Sequence, residues 1–271
     1  MSRNDKRNLK IMFEEKIGKI KEFVKDQLLV KIFKNREEMG KNAARDVAKK
    51  LSEIIGEKGR VNIVFAAAPS QNEFLDELIK YSSISWNKII AFHMNEYVGL
   101  DYDAPQKFGN YLNEHIFNKV NFEKVYYIDE KGKSPEELII RYSELLKRNP
   151  IDIICMGIGE NGHIAFNDPH MANFTDNKIV KMVDLDQKCR IQQVHDKCFK
   201  SLEGVPTHAL TMTMPNFCAA NYLYCIVPTK NKSKAVERTI NGEIDSSCPA
   251  SILRCHQRAI LYLDEEAAEL L

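Results

Sequence analysis

Short apolar runs, each followed by residues at helical spacing, recur from residue 61 to the C-terminus. A chain patterned this way has few options beyond a largely parallel sheet, buried on both faces and covered by helices. The predicted strands are Val61–Ala66, Lys88–His93, Lys124–Ile128, Ile151–Met156, Tyr222–Val227 and Arg258–Leu263. Between them, Asn35 to Gly56 carries apolar residues at helical spacing and stops at a glycine. Ser134-Pro135-Glu136-Glu137 opens a second helix with Ser as N-cap, Pro at the first position and Glu three residues on. Thr229 to Ile240 is a third. No internal repeat divides the 271 residues, so the pattern predicts one α/β domain over 1–271, its N-terminal ~30 residues forming a peripheral helix.

Charge and cysteine usage exclude several classes of function. Lys+Arg 39 against Asp+Glu 38 leaves a formal charge of +1, so no general attraction to nucleic acid or a membrane surface is built in. An anionic ligand must be met by local positive groups. The seven cysteines sit mostly in apolar runs such as IDIICMG and NYLYCIV, without a CxxC pair. That usage predicts reduced, packed thiols in a cytoplasmic protein and no metal centre. No run approaches the roughly 20 apolar residues of a membrane span.

In open α/β sheets ligands sit beyond the carboxyl ends of the strands, which singles out AAAPSQN, HMNEYVGL, GIGENGHIAFNDP and PTKNKSK. Gly157-Ile158-Gly159-Glu160-Asn161-Gly162 has the spacing of a dinucleotide fingerprint. That fingerprint needs a helix at its third glycine, whereas here Asn167-Asp168-Pro169 predicts a turn. His163, with Asp168 five residues on, makes an acid–base unit: imidazole titrates near neutrality and a carboxylate orients it. The same histidine also fits a purely structural role, which residue chemistry alone favours; its position at a strand's carboxyl end makes the two even. Asn95 and Glu96 would come near His163 if their strands were neighbours; Glu96 fits either a base or a solvated loop charge. Ala68, Pro69, Ser70 and Gln71 link a strand to a helix whose N-terminus could cradle phosphate, although the turn lacks glycine. Lys230, Lys232 and Lys234 either neutralise that anion or lie in solvent.

Through FHMNEYVGL, GIGENGHIAFNDP, VPTHALTMTMP and SSCPASILRCHQRAILYLDE, in that order, the chain resembles the glucosamine-6-phosphate deaminase family, a relative of the 6-phosphogluconolactonases. The segments EYVGL and GHIAFN resemble the deaminase branch. The resemblance implies a Rossmann-like fold that opens the ring of an amino-sugar phosphate, isomerises aldose to ketose and releases ammonia without a cofactor. It gives His163 the role of acting on the ring oxygen and Asp168, usually Glu in the family, that of its partner. Asn161 falls where members carry Asp or Asn. Lys232 matches the phosphate lysine, and Ala67 to Gln71 match a phosphate loop that is usually glycine-rich. Arg190 and Lys197 are the candidates for the phosphate arginine.

Two departures bear on activity. Asn95 stands where the family has an aspartate that removes the C2 proton, and an amide is no base. Either Glu96 or a water substitutes, or the chain binds substrate with impaired turnover. The phosphate loop has also lost its glycines. Lactone hydrolysis, with His163 activating water, is the third expectation. The arginine-rich allosteric segment of some members is absent near HMANFTDNK, which implies no such regulation. Family members differ in oligomeric state, so a homo-oligomer stays open.

Overall fold

A computed structural model describes residues 19–195 and 197–271. The main sheet has eight strands in the order β1-β2-β11-β10-β7-β3-β4-β6. They are β1 (Lys19–Lys25), β2 (Leu28–Phe33), β3 (Val61–Phe65), β4 (Ile89–His93), β6 (Lys124–Tyr126), β7 (Ile153–Met156), β10 (Tyr222–Val227) and β11 (Ala259–Asp264). All pairings are parallel except the β1–β2 hairpin. A second, antiparallel sheet runs β5-β9-β8, from β5 (Asn95–Tyr97), β8 (Val180–Asp184) and β9 (His208–Met212). The α-helices are α1 (Arg36–Lys58), α2 (Asn72–Leu78), α3 (Phe108–Leu112), α4 (Pro135–Arg148), α5 (Gln187–His195), α6 (Met214–Cys218) and α7 (Ser233–Asn241).

The six predicted strands are all present, shifted by a residue or two at their ends. The peripheral helix is not: residues 19–33 form the β1–β2 hairpin, and the earlier part of that expectation lies outside the described residues. Adjacent residues within a strand serve opposite layers, as the pleat requires. Ile63, Phe65, Tyr224 and Ile226 face α1 and α2. Val64, Cys225 and Val227 face α4, α7 and the small sheet. α4 starts with the predicted capping box, the Ser134 hydroxyl accepting from Glu137 N and the Glu137 carboxylate accepting from Ser134 N. Among the described residues no helix is long and apolar enough to cross a membrane.

Strands β3, β4 and β6 progress to one side of the sheet and β7, β10 and β11 to the other, so the order reverses between β3 and β7. Such a reversal leaves a crevice between diverging crossovers. The end of β4 is fixed there by Tyr142, whose hydroxyl donates to His93 O at 2.8 Å and accepts from His93 N at 3.1 Å, fully buried. Tyr142→Phe is expected to cost about 1–3 kcal/mol by orphaning these buried groups. A fall in urea midpoint at unchanged slope reads it; a loss below about 0.5 kcal/mol would mean the hydroxyl does not hold the strand end.

Candidate active site

The loop after β7 carries the central histidine. Gly162 adopts φ +87, a left-handed turn that sends the chain back under β7, and Gly162 N donates to Gly159 O at 3.0 Å. No helix opens here, so the glycine spacing builds a compact loop, not a dinucleotide site. His163 is 7% exposed and Asp168 fully buried behind it. Asn161 joins the two: its Nδ2 donates to Asp168 Oδ1 at 2.8 Å, which turns its Oδ1 toward His163. That oxygen accepts from His163 N at 3.0 Å and lies 2.8 Å from Nδ1, while Asp168 Oδ1 lies 3.1 Å from Nδ1. Two acceptors at Nδ1 put the neutral ring's proton there. Nε2 has no protein partner among the described residues and is the atom left for a ligand. Burial alone would raise the Asp168 carboxyl; hydrogen bonds and charge from His163, with Asn161, outweigh it and hold the group below the usual carboxylate range.

Cys189, delivered by α5, adds a feature that sequence spacing did not reveal. His163, Asp168 and Cys189 each offer a ligand atom within 4.8 Å of the others, a group whose geometry could hold a metal ion. Burial, then the Asp168 carboxylate, hold the Cys189 thiol well above its ordinary range, so it stands there as neutral S–H, a poor metal ligand.

The strands that lead to Asn95 and His163 are not neighbours, because β3 lies between β4 and β7. Both residues nevertheless line one cavity of about 320 Å³, which spans the carboxyl ends of β10, β7, β3 and β4. His93 sets the position of Asn95. Ile128 N donates to its Nε2 at 2.9 Å, so its proton sits on Nδ1 and is donated to Asn95 O at 3.1 Å. Burial holds His93 down to about 4, a neutral strut with no proton to trade near neutrality. The Asn95 side chain, 7% exposed, has no hydrogen-bond partner among the described residues.

Glu96 does not join this cavity. Consecutive residues of β5 point to opposite faces, and its carboxylate accepts from Tyr97 N at 2.9 Å, Phe108 N at 3.1 Å and Gly109 N at 3.0 Å. Burial pushes the Glu96 carboxyl up to about 7 against the pull of those N–H groups and Lys107. The native state therefore binds this proton more tightly than the unfolded chain. Stability from Glu96 is full below its ordinary value of 4.5 and is lost as pH rises through about 7. Urea titrations from about pH 5 to 8 should show the stability of the wild type relative to Glu96→Gln falling by roughly 2–3 kcal/mol. Parallel curves would mean that Glu96 is not perturbed.

On the phosphate-loop side, Ala68, Pro69, Ser70 and Gln71 all line the cavity, as does Lys232. Pro69–Gln71 form one 3-10 turn ahead of α2, and Gln71 Nε2 ties the loop to Ile226 O at 3.1 Å. The loop after β10 and the loop after β7 are joined where Asn231 Nδ2 donates to Glu160 Oε1 at 2.7 Å. Neither predicted phosphate arginine site is in the cavity wall. Arg190 spends its guanidinium on Leu202 O and Val205 O, and Lys197 lies exposed beyond the rim at φ +60. Residues that sequence reasoning missed are Arg36 from α1, Gln192 and Gln193 from α5, and Cys198. Gln192 accepts from Glu160 N at 3.0 Å, and Arg36 donates to Pro69 O at 2.9 Å.

A carboxylate-oriented histidine and a lysine that line one crevice, at the strand-order reversal of a Rossmann-like sheet, are groups suited to acid–base chemistry on a small polar anion. Residues 34–262 match the profile of the glucosamine-6-phosphate isomerases/6-phosphogluconolactonase family. A glucosamine-6-phosphate deaminase of Listeria monocytogenes is 35% identical over 228 residues, 83% of this chain and 95% of that one. Its counterpart from Lactobacillus delbrueckii subsp. bulgaricus is 30% identical over 240 residues, 89% and 98% of the two chains. Among solved structures, a monomeric glucosamine-6-phosphate deaminase superposes with TM-score 0.79 at 27% identity, covering 89% of this chain and 99% of that one. A 6-phosphogluconolactonase from Thermotoga maritima shares the fold at TM-score 0.71 and 17% identity, over 88% and 99%. The chain belongs to the glucosamine-6-phosphate isomerase/6-phosphogluconolactonase family.

Proposed function

We propose that this protein is a cytoplasmic glucosamine-6-phosphate deaminase, converting glucosamine 6-phosphate and water to fructose 6-phosphate and ammonia by acid–base catalysis. One observation carries the reading: His163, with Nδ1 held by Asp168 and Asn161, opens Nε2 onto the cavity that Lys232 and the Ala68–Gln71 loop also line. Protonation of the ring oxygen by His163 breaks the C1–O bond and yields the open aldose. Transfer of the C2 proton to C1 and of an amine proton to the C1 oxygen then leaves an imine at C2, which water hydrolyses to the ketose with release of ammonia. Asp168 stabilises the imidazolium and fixes its plane. The phosphate is bound at the opposite end of the cavity, through Lys232 and the loop.

Asn95 favours a second reading of the same pocket. It stands where the C2 base is expected, and the turned-away Glu96 offers no replacement. The chain would then hold amino-sugar phosphates with little turnover. Ammonia release from glucosamine 6-phosphate, beside equilibrium binding of the same sugar, separates the two. Turnover supports the deaminase, binding alone supports the disabled form, and neither would overturn the assignment. A 6-phosphogluconolactone assay in parallel tests the lactonase alternative.

A further inference from the structure

We propose that Arg36, at the first turn of α1, is the guanidinium that binds the substrate's phosphate, replacing both the expected arginine and the lost glycine loop. The inference rests on the sugar-phosphate reading above and adds a specificity residue to it.

Four observations converge on Arg36. It lines the same cavity as Ser70 and Lys232. One terminal nitrogen donates to Pro69 O at 2.9 Å and to Glu73 Oε2 at 2.7 Å, so the side chain is fixed to the very loop expected to receive the phosphate. Its Nε is buried and has no hydrogen-bond partner among the described residues, so one donor of the fork is unspent. The alternative cations do not compete, since neither Arg190 nor Lys197 lines the cavity.

The loop itself explains why such a residue is needed. A glycine-rich loop binds phosphate by close approach of its backbone N–H groups. Here Ala68 and Pro69 carry side chains, and proline has no N–H to offer. The following helix, α2, has only seven residues, which limits the field at its N-terminus. Side-chain charge must then replace backbone donors, and a planar guanidinium beside a lysine supplies it in the geometry phosphate prefers. Glu73 holds the guanidinium in place; at 35% and 29% side-chain exposure the pair itself contributes little stability, so orientation is its evident effect.

Arg36→Gln tests this, since glutamine keeps a donor for Pro69 O and removes the charge. KM for glucosamine 6-phosphate should rise on the order of 10- to 100-fold, with kcat changed far less. Calorimetric binding of inorganic phosphate should weaken by a similar factor. Arg36→Lys should fall between the two, since it restores charge without the fork. An unchanged KM and unchanged phosphate affinity in Arg36→Gln would overturn the assignment. The phosphate arm needs no turnover. If the wild type binds phosphate and Arg36→Gln does not, yet no amino sugar is converted, the phosphate site stands and the deaminase reading falls.

Discussion

Asn95→Asp should raise kcat for glucosamine 6-phosphate by about 10²–10⁴-fold, the usual contribution of a positioned general base. Aspartate is nearly isosteric with asparagine, and the backbone of Asn95 is already fixed by the His93 Nδ1–H bond to its carbonyl. The new carboxylate would enter a cavity wall where the present amide has no protein partner among the described residues. No rearrangement of β5 is required. No carboxylate is among the other wall residues, and His163 is assigned to the ring oxygen. KM should move little, because the phosphate end is untouched. A wild-type rate matching that of Asn95→Asp would mean that a bound water or another group removes the C2 proton, and the proposed role of this position would fall.

Gly159→Ala should lower kcat by at least about 10²-fold while leaving the fold intact. A Cβ at Gly159 would lie 2.1, 2.3 and 2.4 Å from three atoms of the His163 ring, so the imidazole must leave its place. Its Nδ1 bonds to Asn161 and Asp168 would break with it. Gly159 is not in the left-handed region, so alanine strains no backbone there. Gly162 makes the contrast: at φ +87 and with a Cβ 2.7 Å from Cys248 Sγ, its replacement attacks the loop itself. Phosphate binding and thermal midpoint measured beside kcat distinguish the cases. A Gly159→Ala enzyme within about threefold of wild-type kcat would show that the His163 position is not the one that matters.

What could be read from the chain, and what could not, follows from how each element is buried. Strands covered on both faces leave unbroken apolar runs, and β3, β4, β7, β10 and β11 announced themselves that way. β1 reads KIKEFVK and is largely exposed, so its alternation was lost among charges and the segment was expected to be a helix. The small sheet β5-β9-β8 was equally silent, because β5 has only three residues and β8 carries exposed positions. That silence misplaced Glu96: without knowing that Asn95 and Glu96 lie in a strand, nothing says they face opposite ways. His163, Asn161 and Asp168 were legible together because an eight-residue stretch holds them all. Arg36 was not, being 127 residues from His163 and brought to the cavity only by the packing of α1 on α2.

The reversal of strand order between β3 and β7 has a bearing on how the protein acquires its activity during synthesis. The wall contributed by Arg36, Ser70 and Asn95 is made early, whereas Lys232 arrives with the loop after β10. A nascent chain that has emerged only through the loop after β7 carries His163 but lacks β10, the strand that closes β7 on its other side. Neither half offers both a phosphate lysine and the loop that faces it. Ligand that binds the completed cavity bridges early and late segments, and its binding free energy adds to the docking of one on the other. Sugar phosphate is then a strut across the seam as well as a substrate, and separately made halves of the chain should reassemble more readily in its presence.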